Sequence, residues 1–116
     1  MSETIKSIIE WSEQTFGDNI TLDGQIDKFN DEYQEWLASD RKDIMELADM
    51  AIVACSIARF SITSAMVAFE ETQHELEKSD FMSADLEEAI SKKQSINRQR
   101  KWSVGKGNFQ HISEEE

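Results

Sequence analysis

The sequence predicts an all-α fold, an antiparallel bundle of four-helix type whose core is completed by oligomerisation. Three observations predict it. The 116 residues include no proline and only four glycines, so long stretches run without a helix breaker. Apolar residues recur at spacings of three and four, as in Ile5, Ile8, Ile9 and Phe16, the period of a helix face. Charged residues make up 31% against 39% hydrophobic, a wet surface that a core shared between copies would reconcile with stability. No strand is expected anywhere. One domain is expected at this length, spanning residues 1–104, with residues 105–116 as a mobile C-terminal tail.

The first helix should stop at Gly17, a residue suited to a helix C-terminus. After the loop GDNITLDGQ, a second helix carries Ile26, Phe29, Tyr33, Trp36 and Leu37 on one face. It ends near Ser39 and Asp40, whose short side chains prefer turns and caps. A third helix starts around Asp43, a carboxylate suited to the positive N-terminal end, and runs through IMELADMAIVACSIARF. This stretch is apolar nearly all round and should be buried on several sides. Beyond Phe60 the pattern fits either a break at Ser61 to Ser64 or a continuous helix. AMVAFEETQHELEK forms a fourth helical stretch. ADLEEAISKKQSINRQRKW reads as the last helix, with acids at its start and bases at its end.

The formal net charge of −12 argues against general affinity for nucleic acid polymers or anionic membranes, which repel such a chain. The N-terminus lacks a basic segment followed by an apolar one, and no stretch approaches the roughly 20 apolar residues of a spanning helix. A cytoplasmic protein is expected. Cys55 is the single cysteine and sits in the apolar run LADMAIVACSIA, where it should pack as a small hydrophobe.

The stretch DEYQEWLASDRKDIMELADM holds two carboxylate pairs at i, i+3, Glu32 with Glu35 and Glu46 with Asp49. Residues three apart share a helix face, and the short connection makes the two helices antiparallel neighbours. One such pair alone is nearly always a solvated face. A second pair on the next helix, with Asp49 inside LADMAIVA, is more specific. Buried acids that face one another must be protonated, paired with bases or bound to a cation, and oxygen-only ligands select hard ions such as Mg²⁺ or Mn²⁺. Arg41 and Lys42 lie in the connecting loop, where bases are expected to stay in water.

The window SKKQSINRQRKWSVGK contains Lys92, Lys93, Arg98, Arg100, Lys101 and Lys106 and no acid, half of the twelve bases in the chain. Taken alone, these bases are best read as balancing a helix C-terminus and an acidic bundle. Beside four metal-binding acids, a bound nucleoside triphosphate becomes the better reading. Lysine and arginine suit phosphates, Asn97 can read a sugar or base, and Trp102 can stack on a nucleobase or cap the core.

DEYQEW, a short loop and MELADMAI together resemble the MazG-like all-α nucleoside triphosphate pyrophosphohydrolases, whose magnesium motif is EExxE followed by ExxD on antiparallel helices. KQSINRQRKW, followed by glycines and His111, resembles the end of the phage-type dATP/dGTP diphosphohydrolase branch, and IIEWSEQTFGD is similar to its first helix. The chain departs from the pattern at Asp31, where the family has a glutamate, and in the short spacer of eleven positions from Glu35 to Glu46. The resemblance implies hydrolysis of a (d)NTP between the α and β phosphates, giving a monophosphate and pyrophosphate. It implies Mg²⁺, with Mn²⁺ as a substitute, on Glu32, Glu35, Glu46 and Asp49; Glu35 is assigned as the base for the attacking water, a role open to any of the four. Lys93, Asn97, Arg100 and Trp102 would contact substrate, with Gln25 and Lys28, one turn before the acids, in supporting or substrate-binding roles. Homodimers or homotetramers are also implied.

Two other readings compete. Glu71 and His74 form one ExxH pair, but a di-iron bundle needs two such pairs plus two further glutamates, so a solvated face is expected there. A non-catalytic acidic helical protein that binds a basic partner, as a DNA mimic or inhibitor, accounts for the charge. It accounts for neither the acid inside LADMAIVA nor the basic helix bearing Trp102.

Overall fold

The computed structural model describes residues 3–105 and 108–112; Lys106, Gly107 and the terminal glutamates Glu114 to Glu116 lie outside the described residues. Among the described residues there are five helices: α1 (Ile5–Phe16), α2 (Leu22–Ala38), α3 (Ile44–Ile57), α4 (Ile62–Lys78) and α5 (Ser83–Gln99). A 3₁₀ turn, Gly17–Asn19, follows α1, and two short strands follow α5, β1 (Lys101–Gly105) and β2 (Asn108–Ile112).

Local chemistry accounts for the helix ends. Thr4 caps α1 by accepting from the Ser7 amide while the Ser7 hydroxyl accepts from the Thr4 amide, which satisfies donors the first turn leaves orphaned. Gly17 ends α1 at φ 53°, a backbone region that disfavours other residues. Thr21 caps α2 through the Gly24 amide and Asp43 caps α3 through the Met45 amide. The chain breaks before α4 because the Ser61 hydroxyl captures the Ser64 amide and starts a new helix. The turn from α2 to α3 passes through Asp40 and Arg41, both at φ 59°.

As the nearly all-round apolar pattern predicted, α3 is the central element. It packs against α1, α2, α4 and α5, and from Leu47 to Ile57 every residue except Asp49 is buried. One cluster joins Trp36 and Phe29 to Leu47, Met50, Val53, Ile57, Ala68 and Leu76. The other joins Ile8, Trp11, Phe16 and Ile20 to Ile52 and Cys55. Cys55 packs as expected, and burial pushes its thiol up to about 12.

The structure corrects the expectation that strands are absent. Residues 101–105 and 108–112 pair antiparallel, with Trp102 opposite His111. Helix α5 therefore ends at Gln99 instead of running through Trp102, and Arg100 is already extended at φ −80°, ψ 154°. The two runs lie close in sequence, β1 ending at Gly105 and β2 starting at Asn108. The hairpin straddles the boundary expected after residue 104, so part of the expected tail is paired with the domain's last segment. No helix among the described residues is long and apolar enough to cross a membrane.

Candidate functional site

Two antiparallel neighbours, α2 and α3, put the carboxylate pairs face to face, and α5 lies across them with its bases. The cleft between is about 250 Å³ and is lined by Glu32, Glu35, Glu46, Asp49, Lys28, Lys93, Asn97, Arg100, Trp11 and Trp102, with Ile52 and Val53 as its floor. One oxygen each from Glu32, Glu35 and Glu46 lies within 4.8 Å of the other two. An octahedral Mg²⁺ holds opposite ligands about 4.2 Å apart, from bonds of about 2.1 Å. Adjacent ligands of that octahedron lie about 3 Å apart, so to enclose the ion the three side chains would draw together by up to about 1 Å each.

The acids differ in environment. Glu32 is 7% exposed and its pKa is pushed up to about 8, chiefly by burial, then by a hydrogen bond with Glu35 and the charge of Asp49, against the opposing pull of Lys28. Lys28 lies 3.3 Å from its carboxylate. Burial also raises Glu46, with Asp49 and Glu35 adding to the effect. Burial raises Asp49 as well, although Lys93, with Nζ 3.4 Å from Asp49 Oδ2, pulls against it. Among the described residues neither Glu35 nor Glu46 has a basic partner within ion-pair distance. Such a group of oxygens is short of positive charge, and its hard donors suit Mg²⁺ or Mn²⁺.

Opposite the acids, α5 and the start of β1 supply cationic and aromatic groups. Arg100 reaches the cleft with no carboxylate partner among the described residues. Asn97, buried, donates to Gln94 Oε1 at 3.3 Å. Trp102 is half-buried, donates from Nε1 to the Asn97 carbonyl at 3.0 Å, and meets Trp11 and Phe16 edge to face. The full lining sets four carboxylates against three cations, a formal balance of −1.

Nine of the ten residues that the sequence nominates line this one cleft. Three of the four expected metal ligands converge, whereas Asp49 is engaged by Lys93 and stands outside the three-oxygen group. Gln25, on α2, does not line the cleft; it is 0% exposed. Trp11 also lines the cleft although the sequence did not nominate it, because a tryptophan on the first helix, far from the acids and the basic window in sequence, carries no local mark of a site. His74 is exposed, as expected of a solvated face.

Arg41 is a further correction, since this half-exposed loop base is not simply solvated but pairs with a buried acid. Its Nε lies 2.6 Å from Oε1 of Glu75, which is 0% exposed. Burial alone would raise Glu75, but hydrogen bonds from Arg41, Tyr33, Trp36 and Lys78 together overcome it and hold the carboxyl down at about 2. No local pattern marks Glu75, because only Lys78 is a near neighbour and its other three donors come from residues 34 to 42 positions earlier in the chain. Comparison of the chain with protein-family models, with curated protein sequences and with solved structures gives no match.

Proposed function

We propose that this protein is a Mg²⁺-dependent nucleoside triphosphate pyrophosphohydrolase of MazG-like type, cleaving a (d)NTP to a (d)NMP and pyrophosphate. One observation carries the reading: three carboxylate oxygens within 4.8 Å of one another share a cleft with Lys93, Arg100 and two tryptophans. Acid pairs on a solvated face need no such wall of phosphate- and base-binding groups.

Glu32, Glu35 and Glu46 would hold the ion, which when bound supplies charge neutralisation of the triphosphate and a more acidic water. Arg100 and Lys93 grip the phosphates as bidentate and point charges respectively. Trp11 and Trp102 offer ring faces and edges to a nucleobase. Glu35, the most exposed of the three ligands, takes the proton of the attacking water as its oxygen bonds to the α-phosphorus. The bond from that phosphorus to the bridging oxygen breaks, and its electron pair leaves with pyrophosphate. Once Lys93 turns to phosphate, Asp49 is released to join the other acids.

A dimer or tetramer belongs to the same reading. Ile62, Met66 and Val67 on α4 are 65%, 64% and 63% exposed, and the segment from Ile62 to Phe69 carries no charge in a chain of −12. Copies that repel one another elsewhere can meet there. Release of monophosphate and pyrophosphate from a panel of dNTPs and NTPs, with and without Mg²⁺, tests the function. Binding of a basic protein without turnover would favour the acidic-decoy reading instead.

A further inference from the structure

We propose that Glu75, through Arg41, Tyr33 and Trp36, is a positioning residue that sets the rotation of α2 and with it the metal affinity of the cleft. The inference rests on the metal-centre reading and extends it to a residue outside the cleft. Glu75 lies on α4 and accepts from three groups that belong to α2 or to the turn after it. Tyr33 Oη donates to Oε2 at 2.8 Å, while Trp36 Nε1 at 3.1 Å and Arg41 Nε at 2.6 Å share Oε1.

The donors' places in the chain give the arrangement its consequence. Tyr33 directly follows Glu32, and Trp36 directly follows Glu35. Consecutive helix residues project about 100° apart, so fixing the two aromatic donors on α4 fixes the direction in which the two acids leave the helix. Side chains end roughly 5 to 6 Å from the helix axis. A rotation of about 20° would therefore carry a carboxylate about 2 Å, a full Mg–O bond length. Arg41 pins the other end. It sits at φ 59° in the turn that joins the two ligand helices, and its amide donates to the Trp36 carbonyl at 3.3 Å. The ion pair holds that unfavourable backbone in place and with it the offset between Glu35 on α2 and Glu46 on α3.

The test is Mn²⁺ binding by the full chain, followed as loss of the free-ion EPR signal, alongside thermal unfolding. The variants are Arg41→Ala, Arg41→Lys, Glu75→Gln and, as a control for general loss of stability, Leu76→Ala in the core beside Glu75. Loss of groups that orient metal ligands weakens metal binding by about 10- to 100-fold. The proposal predicts at least a tenfold loss for Arg41→Ala and Glu75→Gln, partial recovery in Arg41→Lys, and wild-type affinity in folded Leu76→Ala despite its lower stability. Should Glu75→Gln not fold, the half-exposed Arg41 decides alone. Wild-type affinity in Arg41→Ala, or a loss in Leu76→Ala equal to that in the other variants, overturns the proposal. Wild-type protein that takes up no Mn²⁺ overturns the metal centre itself and the proposal with it.

Discussion

Lys93 Nζ lies 3.4 Å from Asp49 Oδ2 across the gap between α5 and α3, so a base proposed to bind phosphate and one of the expected metal ligands hold each other. A lysine that neutralises an acid in the free protein competes with a metal for that acid. Lys93→Ala should bind Mg²⁺ at least as tightly as wild type, by calorimetric titration, while turnover falls about a hundredfold as a phosphate contact is lost. A parallel loss of Mg²⁺ affinity and turnover would show that the pair serves only to build the site.

The raised pKa of Glu32 gives a pH dependence of defined sign. Its folded value, about 8, lies above the ordinary 4.5, so between these values the folded chain holds a proton that the unfolded chain has released. Stability without metal should therefore fall as pH rises from about 5 to 8. Mg²⁺ displaces that proton and should restore stability most at the upper end. Glu32→Gln should remove the pH-dependent loss, stabilising the metal-free protein at pH 7 by up to about 3 kcal/mol, and abolish the Mg²⁺ effect. Thermal unfolding against pH, with and without Mg²⁺, measures all three.

Glu75 has the opposite sign. Its carboxyl is held at about 2, below the ordinary 4.5, so its contribution is complete above 4.5 and is lost as pH falls through 2. Glu75→Ala leaves Arg41, Tyr33 and Trp36 without their acceptor and should cost about 3 kcal/mol, read from denaturant unfolding at pH 7. The same variant should lose less stability than wild type on acidification below pH 4.

The exposed apolar stripe on α4 leads to a prediction about assembly. Met66→Glu places a charge among Ile62, Met66 and Val67, where like-charged copies would meet. Light scattering should find wild type as a dimer or tetramer and this variant as a monomer that retains its helical circular dichroism. A wild-type monomer at micromolar concentration would remove the assembly from the account.

The helices were legible because their signals are local. Gly17 ends α1, Asp43 caps α3, and the apolar run from Leu47 to Ile57 announces a central helix, whereas the break at Ser61 was open in the sequence and is decided by its cap on the Ser64 amide. The cleft was legible because its acids repeat at i, i+3 on neighbouring helices, while its bases concentrate in one acid-free window. The hairpin was hidden because the bases and polar residues up to Trp102 continue a helical pattern, and the pairing of Lys101–Gly105 with Asn108–Ile112 outweighs it. The Glu75 hub was hidden for a different reason: only the packing of both α2 and α4 on α3 brings an ordinary glutamate to its donors on α2 and the turn after it. Asp49 shows the limit of reading ligands by spacing, since its i, i+3 relation to Glu46 could not reveal that Lys93 of α5 would reach it first.

The central claim is that Glu32, Glu35 and Glu46 form a metal centre that hydrolyses nucleoside triphosphates. Its most direct test is pyrophosphate and monophosphate release from dNTPs and NTPs by wild type and Glu35→Ala, with and without Mg²⁺. The account predicts release that requires Mg²⁺ and falls at least a thousandfold in Glu35→Ala, the ligand that also takes the water's proton. Folded wild-type protein that releases nothing from any nucleotide, or activity that survives both chelation and Glu35→Ala, would contradict it.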